Sequence, residues 1–248
     1  MTIVITAATN MEMQAYADAC KEGQRNDRGK PLGKTMGEPI GERRSKGQAE
    51  ICHLITGIGP VETTLTLTRF LQGKSTVSCV INLGIAGAYL ENGSSTQADL
   101  LDICLADQEV LGDFGIQLED RVEKFGNDLP VHDTFVFDPE LLAETGCHLK
   151  NHGISYKVGT FVTVNCASGT LQRGNQLGRQ FHGLCENMEG AAVARICEEF
   201  SLPCLEIRCI SNMVEDRNRE NWQIREACGK VGQVVTIIID RLAAEMKA

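Results

Sequence analysis

No apolar run in this chain of 248 residues approaches the length of a membrane span, and no basic segment leads into an apolar one at the N-terminus. A spanning helix and a secretory signal are therefore not expected, and the chain reads as soluble and cytoplasmic. Cationic excess is also missing. Twenty-four Lys and Arg stand against thirty-three Asp and Glu, a net charge of −9. Such a surface repels phosphate backbones unless it carries a local basic patch. Residues 21–46 are rich in Gly, Lys and Arg, but Glu22, Asp27, Glu38 and Glu42 are interspersed, which reads as a solvated loop. There is no C-x-x-C pair, and the eleven cysteines are odd in number and lie in apolar runs such as V-S-C-V-I and L-D-I-C-L. They read as small buried hydrophobes in a reducing compartment. His148 and His152 have no third ligand nearby in sequence, so a surface pair is expected and no metal site. Neither G-x-G-x-x-G nor a Walker A loop occurs, which removes support for dinucleotide or ATP binding.

What is present is an ordinary globular composition, 42% hydrophobic and 23% charged. Strands are expected over residues 2–8, 51–56, 77–83, 99–106 and 205–210, with one or two more within 155–164. Helices are expected over 11–21, 61–71, 189–200 and 222–246. Strands that lack clear alternation and are separated by helices imply a sheet buried on both faces. The expected fold is a three-layer α/β/α sandwich with a mostly parallel, twisted central sheet. Repeats, low-complexity tracts and linkers are absent, so residues 1–248 read as one domain.

Ligands in open α/β sheets collect at the carboxyl ends of the strands. The first strand runs into A-A-T-N-M-E, placing Glu12 one turn later; the second is expected to end in G-I-G-P, the third in G-I-A-G, and the late strand in Ser211-Asn212. Met188-Glu189 opens a Gly/Ala-rich helix. Taken singly, each has an ordinary explanation: a first-turn acid favours the helix dipole, glycine relieves a tight turn, and asparagine suits one.

Together, the ordered set A-A-T-N-M-E-M, G-I-G-P, N-L-G-I-A-G, N-M-E-G-A-A-V-A and I-R-C-I-S-N resembles the purine nucleoside phosphorylase/uridine phosphorylase superfamily. It is most similar to the hydrolytic branch, the methylthioadenosine/S-adenosylhomocysteine nucleosidases and the futalosine hydrolases. The resemblance implies a nucleoside phosphorylase-like fold and a homodimer or larger assembly. It also implies a purine nucleoside as substrate, without metal or cofactor. By the same resemblance, Glu12 activates the attacking water, Met188 packs under the ribose and Glu189 accepts from its hydroxyls. Ile85, Ala86 and Gly87 line the sugar and base, Asn212 faces the base, and Phe161 is the candidate for stacking on it.

These residue types suit N-glycosidic cleavage, which builds positive charge on the sugar while the base leaves with negative charge. A carboxylate opposite the base can take a proton from water and stabilise the cation. Asn212 stands where adenosine-type enzymes carry aspartate. A neutral amide can donate to O6 of a 6-oxopurine, where a carboxylate would face lone pairs, a difference of about 1–3 kcal/mol. This favours hypoxanthine as the base and, within the branch, futalosine of the alternative menaquinone pathway as the substrate. Arg217 and Trp222 either meet the carboxylate and ring of futalosine's 5′ substituent or serve as a surface charge and a helix anchor. An adenosine-type nucleosidase, a phosphorylase and a non-catalytic binder are the competing readings. Asn212 argues against the first, the lack of arginine in G-I-G-P and G-I-A-G against the second, and the pair Glu12 and Glu189 against the third.

Overall fold

A computed structural model of the chain describes residues 1–23, 42–43, 50–91, 95–126, 129 and 131–245. The β-branched N-terminal run forms β1 (Thr2–Ala7), buried at every position, followed by α1 (Asn10–Gly23). A two-residue strand β2 (Glu42–Arg43) precedes β3 (Glu50–Ile55) and α2 (Pro60–Gly73). Then come β4 (Val77–Ala88), a small hairpin of β5 (Leu90–Glu91) and β6 (Ser95–Thr96), and β7 (Ile103–Leu111). A second hairpin pairs β8 (Ile116–Gln117) with β9 (Val122–Glu123), before β10 (Thr134–Val136) and α3 (Pro139–Asn151). The chain continues through β11 (Lys157–Thr163), α4 (Leu171–Phe181), β12 (Gly183–Asn187) and α5 (Gly190–Glu199). It ends with β13 (Cys204–Met213), a 3-10 turn at Arg219–Asn221 and α6 (Ile224–Glu245).

Among the described residues the main sheet has nine strands, in the order β10-β7-β11-β12-β4-β1-β3-β2, with β13 bridging β4 and β7. Most of the long pairings are parallel: β1 with β3 and β4, β11 with β7 and β12, and β13 with β4. Because β13 also pairs antiparallel with β7, that half of the sheet curls into a closed ring through β4, β12, β11, β7 and β13. The alternation of side chains along a strand sends Ile3 and Ile5 to one face and Val4 to the other. The first face packs on Met13 and Tyr16 of α1, Leu149 of α3 and Val231, Val235 and Ile238 of α6. The second packs on Leu67 and Leu71 of α2 and Ala191, Val193 and Cys197 of α5. This is the expected three-layer α/β/α sandwich with a mostly parallel sheet. No helix of the described residues is long and apolar enough to cross a membrane.

Several boundaries differ from expectation. Gly84-Ile85-Ala86-Gly87 is not a turn that closes a strand but the last part of β4, held by β13 on one side and partly by β12 on the other. The late strand does not stop at Ser211-Asn212; it runs on to Met213, with a register shift at Ser211 that leaves Asn212 paired with Gly87. Strand β7 begins at Ile103 rather than Asp99, since Asp99–Asp102 is a turn closed by Asp102 N–H to Asp99 C=O at 3.0 Å. Residues 183–187, where no strand was expected, are a buried strand. Helix α3 carried a readable start, because Asp138 accepts from Glu140 N–H at 2.8 Å and Pro139 opens the first turn. Helix α4 carried one too, Thr170 Oγ accepting from Arg173 N–H at 3.3 Å, but the helix is polar, and its Gly174 and Gly178 meet Val214 and Tyr89, partners visible only in the fold. Most of the segment expected to be a solvated loop, residues 21–46, lies outside the described residues.

Candidate active site

The carboxyl ends of β1, β3, β4, β12 and β13 converge on a cavity of about 520 Å³ whose wall includes Glu12, Gly87, Met188, Glu189, Arg208 and Asn212. Glu12 lies in the first turn of α1, where the orphan N–H groups of a helix favour a carboxylate. Its Oε2 accepts from Thr9 N–H at 3.0 Å and Thr9 Oγ at 2.7 Å, and its Oε1 from Ile85 N–H at 3.2 Å. Burial pushes its pKa above the usual glutamate value, an effect that the nearby Arg208 charge and the Thr9 hydrogen bond partly offset.

Glu189 is fixed from two sides. Gly59 N–H donates to its Oε1 at 3.0 Å, and Arg208 Nη1 lies 3.4 Å from its Oε2. The G-I-G-P turn explains the first contact. Gly59 sits at φ 88°, ψ 164°, a backbone region essentially reserved for glycine, and Pro60 starts α2 behind it. Asn187 prepares the second element. Its Oδ1 accepts from Glu189 N–H at 2.9 Å and Gly190 N–H at 2.7 Å, capping the start of α5.

Arg208 is 2% exposed and sits on β13 between these acids. Glu206, two residues earlier and so on the same face of the strand, accepts from its Nε at 2.9 Å. Burial by itself would lower the arginine's pKa, but Glu206, Glu189 and Glu12 outweigh it and hold the guanidinium charged. Behind lies a further acid, Glu109, which accepts from Thr163 Oγ at 2.8 Å and sits against Glu206. A Cβ built on Gly190 would fall on Glu109 Oε1 and on both oxygens of Glu206, so the two carboxyls meet under the helix start and only glycine fits there. Burial, then the Glu206 charge, push Glu109 well above the usual carboxylate range.

The cavity thus gathers Glu12, Ile85, Ala86, Gly87, Met188, Glu189, Asn212, Arg217 and Trp222 from the sequence candidates. Arg217 stacks over Trp222, 5.0 Å from its ring centroid to the guanidinium carbon. Phe161 is the exception. It is fully buried in the core on β11 and does not line the cavity, because the alternation of that strand turns its ring toward α5 and the aliphatic residues beneath it. The sequence reading missed Arg208, Glu206, Glu109 and Asn187. The signal for the first two was a Glu and an Arg two apart inside an otherwise apolar strand, L-E-I-R-C-I, which places two charges on one buried face. Asn187, two residues before Glu189, was a readable cap; Glu109 had no comparable mark in its own stretch.

The His148 and His152 rings lie against each other, tilted by 51° with centroids 4.3 Å apart; His148 Nε2 is 3.2 Å from Ile237 C=O. Among the described residues no group of three or more His, Cys, Asp or Glu is placed to hold a metal ion.

The chain belongs to the phosphorylase superfamily, whose family model matches residues 2–244. It is similar to a futalosine hydrolase of Thermus thermophilus, 29% identical over 84% of this chain and 89% of that protein. It is also similar to a 5′-methylthioadenosine/S-adenosylhomocysteine nucleosidase of Staphylococcus epidermidis, 24% identical over 75% of this chain and 80% of the other. Among solved structures, that of a mutant futalosine hydrolase of Helicobacter pylori superposes with a TM-score of 0.80 at 20% identity, covering 97% of this chain and 99% of that one. At that identity the likeness shows the fold.

Proposed function

We propose that the protein hydrolyses the N-glycosidic bond of futalosine, releasing hypoxanthine and dehypoxanthine futalosine. Similarity to futalosine hydrolases over most of the chain supports the reaction class. The observation that carries the choice of base is the position of Asn212, an amide rather than an acid, on the cavity wall beside Gly87. Its Oδ1 accepts from Ser211 Oγ at 2.9 Å and its Nδ2 donates to Met213 C=O at 3.1 Å. Each leaves one position free: an N–H for O6, and a lone pair for the N7–H formed when solvent water protonates the departing 6-oxopurine.

In this reading Glu189 binds the ribose hydroxyls, held in place by Gly59 and Arg208, and Met188 forms an adaptable apolar wall. Glu12 holds the water on the opposite face, takes its proton as it attacks C1′ and stabilises the cationic sugar. Arg208 keeps Glu12 and Glu189 from repelling each other and bears no direct role on the bond. Arg217 and Trp222 receive the carboxylate and ring of the 5′ substituent.

A second copy of the chain completes the site. Met11 and Ile58 line the cavity and are 49% and 60% exposed, and Val61 (74%) and Leu65 (50%) continue the apolar surface along α2. Sedimentation at several concentrations reads this directly; a monomer throughout refutes it.

The test of the reaction is base release from futalosine and from methylthioadenosine, side by side, with and without phosphate. Hypoxanthine from futalosine alone, independent of phosphate, is the expected result. Adenine from methylthioadenosine would replace this reading with the adenosine-type one, and a phosphate requirement would make the enzyme a phosphorylase.

A further inference from the structure

Glu189 is held by two lines of hydrogen bonds, and both end on buried acids. One runs through Asn187, whose Oδ1 accepts from Glu189 N–H at 2.9 Å and whose Nδ2 donates to Glu109 Oε1. The other runs through Arg208, whose Nη1 lies 3.4 Å from Glu189 Oε2 and whose Nε donates to Glu206 Oε1 at 2.9 Å. The two lines meet beneath Gly190, where a Cβ would strike Glu109 Oε1 and both oxygens of Glu206. Neither acid reaches water: Glu109 is 0% exposed and Glu206 1%.

Donors are unequally shared among the four oxygens. Glu109 Oε2 accepts from Thr163 Oγ at 2.8 Å, and Glu206 Oε1 accepts from Asn82 Nδ2 at 3.1 Å as well as from Arg208. Glu206 Oε2 is buried, and among the described residues no donor reaches it. An oxygen left so in a dry site is costly, and two carboxylates in contact repel. One proton removes both costs. Carried on Glu109 Oε1 it is donated to Glu206 Oε2, and Oε1 still has a lone pair for Asn187. The charges lead to the same place, because Arg208 is the cation shared by Glu12, Glu189, Glu206 and Glu109. Glu12 and Glu189 both act as acceptors in the proposed reaction, and each has backbone donors of its own, from Thr9 and Ile85 and from Gly59.

We infer that Glu109 and Glu206 are positioning residues: they share one proton beneath Gly190, which joins the Asn187 and Arg208 lines into a single support for Glu189. Burial pushes both carboxyls up, and the Arg208 charge draws Glu206 back. The charged and titratable groups that face the pair are Arg208 on β13, Glu189 at the mouth of α5, Cys185 on β12 and Cys204 at the start of β13, with Glu12 across Arg208. Loss of the shared proton at alkaline pH leaves two repelling charges under the first residue of α5 and loosens Glu189. The effect falls on KM, since neither acid touches the reacting atoms and Glu12 keeps its own donors. The inference rests on the proposed role of Glu189 in binding the ribose.

The experiment measures kcat and KM for futalosine from neutral to alkaline pH in the native enzyme, Glu206→Gln and Glu206→Ala. The amide is the discriminating change. Its oxygen serves Arg208 and Asn82, its N–H stands in for the shared proton toward Glu109 Oε1, and the pair keeps the same charge with nothing to titrate. Native KM should rise about tenfold or more at alkaline pH while kcat stays within a few-fold. Glu206→Ala should show a raised KM at every pH, and Glu206→Gln should bring KM back toward the native neutral value and hold it flat. A native KM that stays flat up to the pH of unfolding overturns the inference, as does an alkaline rise that persists in Glu206→Gln. Native enzyme that releases no hypoxanthine from futalosine refutes the proposed function itself. The shared proton then has its own readout in infrared spectra of the native protein, which also serves should Glu206→Gln not fold. A protonated-carboxyl band present at neutral pH and lost at alkaline pH before unfolding supports it. No such band, or one that persists up to unfolding, overturns it.

Discussion

The backbone N–H of Gly59 donates to Glu189 Oε1 at 3.0 Å, joining the turn after β3 to the mouth of α5 across 130 positions of sequence. Nothing surrounds the place where a Cβ would sit on Gly59, so its glycine is required by conformation and not by space. Gly59→Ala is expected to cost about 1–3 kcal/mol of stability through the forced backbone alone. It should also raise KM for the nucleoside as Glu189 loses its fixed position. Thermal melts and steady-state kinetics check both; a variant destabilised with unchanged KM would separate the turn from the site.

Glu12 is expected to be dispensable for binding and necessary for turnover. Glu12→Gln should keep nucleoside affinity within a few-fold while kcat falls about 10²-fold or more. Because burial raises its pKa and the reactive form is the carboxylate, activity should be lost as pH drops, with the midpoint of that limb above the ordinary glutamate value of 4.5. Near-native turnover in Glu12→Gln would remove it from the mechanism.

Asn212→Asp should move preference toward 6-amino substrates by about tenfold or more, since a carboxylate replaces a donor with an acceptor opposite O6. The ratio of kcat/KM for futalosine to that for aminodeoxyfutalosine is the quantity to follow. An unchanged ratio would leave Asn212 without the assigned role.

Glu109 makes stability depend on pH in a defined direction. Its folded-state pKa is raised well above the unfolded reference of 4.5, so the folded protein keeps a proton that the unfolded chain releases. That contribution is complete below 4.5 and is lost as pH rises through the folded value. Glu109→Gln cannot titrate, and its melting temperature should therefore fall less steeply toward alkaline pH than the native protein's. Parallel curves would show that Glu109 does not hold the proton.

Much of the sandwich was legible because its signals are local. The apolar runs that became β1, β3, β4 and β13 and the Pro-led start of α2 lie within a few residues of their expected bounds. Two of the errors share one cause. Gly84–Gly87 and Ser211-Asn212 look like turns by residue type, yet both continue strands, because β4 and β13 hold each other in parallel register through Met213 and Ala88. A neighbour that supplies the ladder overrides local turn preference. Phe161 was misplaced for a related reason: the face on which a buried strand residue points depends on register, which the residue's own stretch does not encode.

By itself the sequence determined the layered fold and the residue types the reaction needs. It placed Glu12 one turn beyond β1, Met188-Glu189 at a helix mouth, and an asparagine where an aspartate was the alternative. These are one-dimensional facts of spacing and chemistry. Only the tertiary structure decided how the charges are managed: that Arg208 lies between Glu12, Glu189 and Glu206, that Glu109 meets Glu206 under Gly190, and that Glu186 and Asn212 flank Gly87 on neighbouring strands. Those relations join residues far apart in the chain. Burial fixes their energies, because a carboxyl taken out of water must keep its proton or find a partner, and the partner becomes visible only when the strands are side by side.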